Sequence, residues 1–294
     1  MLPTLVDDAP EGGDWIHEVK WDGYRSQLVK EFDRSRIFTR RGFDWSDKYA
    51  PLVAAASSLD CVDAIIDGEI IVLDALGRPS FKALRSAIMK EPGPLIFMAF
   101  DILHLSGHDL RGMALEERRA LLGDLIADSD TGGVYQFSEA IDGAPEQVFR
   151  AIDKQGLEGM VSKRRGSPYE SGRTTAWVKA KCYDEGDFSI LGVQRERGKP
   201  AMALMADRAG KYVGGAFVTL PQGIRQRLWD RVQAKAGATP PKGMAAEKAE
   251  WIKPGLVARV KFLKGEDKLR HATVKSFREG TLKGEAASLH EDDG

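Results

Sequence analysis

Apolar residues recur at two different periods along this chain, and the switches between them mark out short strands and a few helices. Trp15–Lys20, Tyr24–Glu31 and Ser35–Arg40 are β-rich runs separated by Asp-Gly and Asp-Arg pairs, which predicts strands joined by hairpin turns. Ala64–Leu73 is dense in Ile and Val and stops at Gly77 and Pro79, so it predicts another strand. Leu95–Leu103 predicts a buried one. Helical spacing appears over Asp47–Leu59, Phe81–Met89, Leu115–Ile126 and Pro145–Lys154, before Gly159–Arg164 and Thr174–Lys181 return to strand. Strands and helices do not alternate evenly, so a doubly wound parallel sheet fits poorly. The pattern predicts an α+β class with largely antiparallel sheets.

After Tyr183–Asp187 the texture changes. Phe188–Arg195, Met202–Ala206 and Lys211–Val218 read as strands joined by glycine-containing turns, and Ile224–Ala236 as a helix. A Pro/Gly/Ala loop, Gly237–Glu247, precedes strands at Leu256–Leu263 and His271–Phe277. Strands around a single helix suggest a small β-barrel compatible with an OB-type fold. The expected domains are 1–185 and 186–294, which agrees with a length of 294 residues and a prior of about two domains.

Composition narrows the possibilities. A hydrophobic content of 43% with 30% charged residues excludes disorder and collagen-like repetition. The formal net charge of −1 means that any nucleic-acid site must come from segregated charge. Such segregation exists: Asp7, Asp8, Glu11 and Asp14 stand near the start without a base, whereas Trp251–Gly280 is strongly basic. Cys61 and Cys182 are the only cysteines, which disfavours a disulfide framework and a cysteine zinc site and suits a reducing cytosol. The longest apolar run, Leu95–Phe100, is far short of the ~20 residues that a spanning helix needs. The expectation is a cytoplasmic protein that does not enter a membrane.

The segment richest in chemistry is "HEVKWDGYR", His17–Arg25. A Lys ends one expected strand, Asp22-Gly23 turns, and Arg25 returns, so Lys20 and Arg25 are expected at the mouth of a hairpin. A lysine attacks phosphorus only after losing its proton, which its reference pKa of ~10.4 opposes unless cations or desolvation lower it. Further strings follow in order. "FTRRGFDWS" supplies Arg40, "IIDGEIIVLD" supplies Glu69, and "FMAFDILHLSG" carries Phe100. "EGMVSKRRGSPY" gives Glu158 and Lys163, and "SGRTTAWVKAKC" gives Arg173, Lys179 and Lys181. Asp22 and Asp67 read as turn residues, Asp101 as structural, and His17 as a packed group facing away from Glu18 and Lys20.

Taken together these strings resemble the covalent nucleotidyltransferase superfamily, and within it the ATP-dependent DNA ligases, most of all the ligase module of bacterial end-joining ligase D. The resemblance runs from Trp15 to Glu279 and implies a nucleotidyltransferase domain of ATP-grasp-like antiparallel sheets with helices, followed by an OB domain. By it, Lys20 takes AMP from ATP, Glu18 reads the adenine amino group, and Phe100 stacks on the base. Arg25, Arg40 and Arg173 resemble ribose and phosphate contacts, Lys179 and Lys181 flank the phosphates, and Glu69 and Glu158 face magnesium or manganese. "KLRHATVKSFREG", Lys268–Gly280, looks like the terminal motif, in which Arg270 or Arg278 meets pyrophosphate; its Ala272-Thr273-Val274 and Ser276-Phe277 depart from the usual spelling. Lys261, Lys264, Lys268 and Lys275 would follow duplex phosphates.

The resemblance implies a monomeric, nucleoid-associated catalytic core acting on nicked or broken double-stranded DNA, in repair or end joining, with a Ku-like end-binding protein as the candidate partner. It also implies a swing of the second domain about Tyr183–Asp187. An RNA ligase, an RNA-capping guanylyltransferase and a non-catalytic DNA-binding relative are the alternatives. Lys20, Glu69 and Glu158 would be replaced in the last of these, and all are present.

Overall fold

Alternation along the strands of the first half decides which residues reach a cleft and which reach a core. In chain order the elements are β1 (Leu2–Leu5), β2 (Trp15–Val19), β3 (Tyr24–Glu31), β4 (Arg34–Thr39), α1 (Ala50–Ala55) and β5 (Asp63–Ile71). They continue with α2 (Phe81–Met89), β6 (Ile96–Leu105), β7 (His108–Asp109), α3 (Leu115–Asp128), β8 (Tyr135–Phe137), α4 (Pro145–Lys154), β9 (Gly159–Arg164) and β10 (Arg173–Lys181). One sheet has the order β1-β10-β9-β2, with β1 and β10 parallel and the rest antiparallel. The other has the order β4-β3-β5-β6-β7, with β8 added in parallel on β6.

On β3 and β5, Leu28, Ile66 and Ile70 point to one side and join Ile37, Leu52, Leu84, Phe97 and Leu122 in the main apolar core under α1, α2 and α3. Because side chains alternate, Arg25, Asp67 and Glu69 point to the other side, away from that core. There a smaller apolar cluster of Met1, Ile16, Leu115 and Trp177, with Phe100 and Tyr169 at its border, joins the two sheets.

Several local expectations need correction. Asp47–Leu59 is not one helix. It is a 3₁₀ turn, the short α1 with Pro51 in its first turn, and a second 3₁₀ turn. The stretch around Asp22-Gly23 is not a hairpin, since β2 and β3 lie in different sheets and the chain crosses between them. A side chain at Gly23 would stand 2.1 Å from the carbonyl oxygen of Ile70, so the glycine permits a close backbone approach. Asp67 lies within β5, not in a turn. Gly68 after it accommodates the ring of Phe97, which a Cβ there would meet at 2.2 Å.

The structure is a computed structural model describing residues 1–89, 93–196, 198–244, 247–264 and 268–282, and it divides into Met1–Cys182 and Tyr183–Gly294. The last part of the expected second domain, 283–294, and residues 245–246 of the expected loop lie outside the described residues. The second unit contains β11 (Tyr183–Gln194), β12 (Met202–Ala206), β13 (Tyr212–Val218), α5 (Gln222–Ala234), β14 (Glu250–Trp251), β15 (Leu256–Leu263) and β16 (Thr273–Glu279). The ladder β11-β12-β13-β16-β15 returns to β11, because β12 also pairs with β11. Strands that close on themselves leave no free edge in that ring. Its interior holds Ile190, Val193, Ala203, Met205, Ala258, Val260 and Val274, with Leu228 and Val232 of α5 packed against them. The unit begins within regular structure: Tyr183–Asp187 pairs residue by residue with Leu263–Arg259 of β15. The expected pivot is therefore strand, and the division falls at Cys182.

Candidate active site

Lys20 leaves the end of β2, where its amide donates to the carbonyl of Gly159 at 2.8 Å. That bond sets it beside Glu158, the residue before β9. The ammonium donates to Glu158 Oε2, and Lys181 from β10 approaches Oε1 of the same carboxylate at 3.3 Å. Lys20 is 20% exposed in its side chain, whereas Lys181 and Glu158 are at 9% and 6%, so the nucleophile candidate is the accessible member. Lys179, two residues along β10, has its amine held below the usual lysine range, first by burial and then by the charges of Lys20 and Lys181.

Glu69 faces the same group. Burial pushes its carboxyl up to about 8; Lys20 and Arg25 pull against that rise, while Glu158 and Asp22 add to it. Arg25, opposite Glu69 in the β3–β5 register, forms a fork with Asp67, Nε to Oδ1 at 3.1 Å and Nη2 to Oδ2 at 2.7 Å. Tyr169 also donates to Asp67, at 2.8 Å. Asp67 is therefore the anchor of Arg25.

Phe100 borders the inter-sheet cluster, 6.0 Å from Trp177 edge to face, with Arg25 5.4 Å and Lys163 4.5 Å from its ring centroid. Glu18 is 2% exposed. Its Oε1 stands 2.9 Å from Arg119 and 2.7 Å from Lys163, and its Oε2 accepts from the Ser138 hydroxyl at 3.0 Å. Burial is the main force on Lys163, bringing its amine down to about 8 although Glu18 opposes the shift.

Arg40 and Arg173 are exposed. The Arg40 amide donates to the Arg25 carbonyl at 3.1 Å, which ties its turn to β3, and Arg173 opens β10 near enough to bear on Lys179. In the second unit, Arg278 pairs with Asp187 at 3.1 Å, and Lys261 lies 4.5 Å from the Tyr183 ring centroid.

The site thus brings together Lys20, Glu69, Glu158, Lys179 and Lys181, with Arg25 beside them. Sequence reasoning gave no role to Lys163 and overlooked Arg118 and Arg119. The only local hint was a pair of arginines in α3, a helix that otherwise reads as an ordinary amphipathic one. Among the described residues no group of three or more His, Cys, Asp or Glu is arranged to hold a metal ion. Glu69 of β5 and Glu158, just before β9, nevertheless suit a divalent ion that would displace the Glu69 proton and take its remaining ligands from phosphate and water. Among the described residues no helix is long and apolar enough to cross a membrane.

Comparison with known proteins gives a consistent result. The ATP dependent DNA ligase domain family matches residues 5–181. The multifunctional non-homologous end joining protein LigD of Pseudomonas aeruginosa is 32% identical over 276 residues, which are 89% of this chain and 33% of that protein. The chain thus spans about a third of the length of that relative. A mycobacterial DNA ligase D solved with ATP and MES is similar at 26% identity and TM-score 0.58, over 99% of this chain and 98% of that one. The ligase domain of Mycobacterium tuberculosis LigD is similar at 26% identity and TM-score 0.57, over 94% and 95%.

Proposed function

Because the chain belongs to the ATP-dependent DNA ligase domain family, we propose that it seals nicks or breaks in double-stranded DNA through an AMP-bearing lysine. The observation that carries this reading is the amine of Lys20, accessible and hydrogen-bonded to Glu158 amid Lys179, Lys181 and Glu69. In the first step the amine passes its proton on, with Glu158 in range to receive it, and attacks the α-phosphorus of ATP. A nitrogen–phosphorus bond forms and pyrophosphate departs. Lys179 and Lys181 balance charge on the five-coordinate phosphorus, where catalysis is mostly electrostatic and positional. AMP then passes to the 5′-phosphate at the nick, and the 3′-hydroxyl attacks that phosphate and releases AMP. Glu69 and Glu158 are the residues that would hold magnesium or manganese, which supplies charge neutralisation at the phosphates.

Phe100 stacks on the base and Glu18 accepts from its amino group in this reading, while Arg25, Arg40 and Arg173 serve ribose and phosphate. The first unit is the adenylation domain. The closed five-stranded ring with one helix supports an OB-type assignment for the second. Its Lys261, Lys264, Lys268 and Lys275 would meet DNA phosphates, and Arg278 or Arg270 the departing pyrophosphate. A Ku-like partner, a monomeric state, a cytoplasmic location at the nucleoid and an end-joining role belong to the same proposal.

Intact-mass measurement after ATP and a divalent ion tests the first step. The expected result is a gain of one AMP in the wild type and none in Lys20→Ala. An adduct persisting in Lys20→Ala overturns the assignment. Labelled ATP against GTP, and nicked DNA against nicked RNA, separate this reading from the RNA-end alternatives.

A further inference from the structure

The carboxylate of Glu18 is buried and held from three sides. Its Oε1 is buried between the Arg119 guanidinium at 2.9 Å and the Lys163 ammonium at 2.7 Å, and its Oε2 accepts from Ser138, so three of the roughly four acceptor directions of a carboxylate are occupied. An ionised carboxylate offers about four lone-pair directions, so one remains for a ligand N–H. The surrounding frame is built mainly by one side chain. Arg119 reaches from α3, pairs with Glu18, donates from Nη2 to the Ser138 carbonyl at 2.7 Å, and donates from Nη1 to the Phe100 carbonyl at 3.2 Å. Its guanidinium also lies 4.5 Å from the centroid of Phe137. Ser138 extends the frame: its hydroxyl donates to Glu18 Oε2 and accepts from the indole of Trp21, each at 3.0 Å. Trp21 is the neighbour of Lys20 in the chain.

We propose that Arg119, assisted by Ser138, is a positioning residue for base selection, holding Glu18, Phe100 and Trp21 in one frame so that the remaining acceptor direction of the Glu18 carboxylate meets an exocyclic amino group on a purine nucleotide. The guanidinium suits the task because its planar donors fasten several acceptors at fixed angles. An anionic acceptor so fixed attracts the 6-amino group of adenine and repels the 6-carbonyl of guanine. Loosening the frame therefore erodes the preference between the two bases more than it slows the attack at phosphorus. The inference rests on the proposed transfer of AMP to Lys20, and it adds a selectivity role for residues outside the strings that suggested that transfer.

The test measures adduct formation with ATP and with GTP across a range of concentrations, in the wild-type chain, Arg119→Met, Arg119→Lys and Ser138→Ala. Arg119→Met is expected to raise the apparent KM for ATP at least tenfold and to narrow the ATP-to-GTP preference by a similar factor. The maximal rate should change less than threefold. Arg119→Lys should recover part of the preference, and Ser138→Ala should move it in the same direction by a smaller factor. If Arg119→Met does not fold, the Lys and Ser138 variants decide. An unchanged preference in folded Arg119→Lys and Ser138→Ala overturns this inference alone. A wild-type chain that takes no AMP overturns the nucleotidyl-transfer reading, and this inference with it.

Discussion

Two groups of opposite charges lie within the same unit and are built on different terms. Arg118 and Asp101 are wholly buried and meet as a fork, at 2.8 and 2.9 Å. Nη1 of Arg118 donates to the carbonyls of Met113, at 2.7 Å, and Ser167, at 3.0 Å. Every charge there has its counterpart. Around Lys20 the balance differs: Lys20, Lys179 and Lys181 face Glu158 and a Glu69 that tends to keep its proton. The group is also open to solvent on the side of Lys20. The Arg118–Asp101 pair is matched in charge and out of reach of solvent, and it serves the fold. An open group with surplus positive charge is unsatisfied until polyanionic phosphates arrive.

The largest expected effect falls on the closed group. Arg118→Met leaves Asp101 buried without its partner and should cost about 3–5 kcal/mol of stability. Lys20→Met removes a partly exposed member of a surplus and should cost about 1 kcal/mol or less. Urea melts of the two variants against the wild type check this, and comparable losses would break the distinction.

A smaller effect is expected from Glu69 and depends on pH. Its carboxyl titrates at about 8 in the folded chain, against 4.5 as the ordinary value. Between these limits the folded chain holds a proton that the unfolded chain has released. The contribution of Glu69 to stability is therefore full below about pH 4.5 and is lost as the pH rises through about 8. Glu69→Gln cannot ionise, so melts in the presence of a chelator should show the variant gaining on the wild type as pH rises across that window. Parallel pH profiles would mean that the carboxyl is ionised throughout and that the open group is less crowded than its geometry indicates.

The open group was also the more legible of the two. Lys20, Glu158, Lys179 and Lys181 sit in short strings whose order suggests their use, and strand alternation alone puts Lys179 and Lys181 on one face. The pairings of Arg118 with Asp101 and of Arg25 with Asp67 depend on helix docking and sheet register, which no local string encodes. Asp67 and Arg25 are 42 residues apart and meet only because β5 pairs with β3. Asp67 looked like a turn residue because Asp-Gly usually turns a chain, whereas here the glycine makes room for Phe97. The same bias suggested a hairpin at Asp22-Gly23, where the chain changes sheets. Strand β1 escaped notice because its partner β10 begins 168 residues after β1 ends, and a parallel pairing of that span leaves no turn to read.

The smallest effect on stability should come from Arg40, which carries the same guanidinium as Arg118 in the opposite setting. It is exposed, and its link to the site is its backbone amide on the Arg25 carbonyl. Arg40→Ala retains that amide and should shift stability by no more than about 0.5 kcal/mol. If the side chain serves phosphate, as proposed, the variant should still lose about tenfold in the rate of AMP transfer at low ATP, the loss of one charge-assisted hydrogen bond. Raising ATP should restore most of that rate, because the open arginine recruits a substrate that Lys20 then attacks unaided by it. A melting temperature that falls as far as in Arg118→Met would show that exposure is a poor guide to the two roles. Full activity at low ATP would instead remove Arg40 from the site while leaving the contrast between the open and closed groups intact.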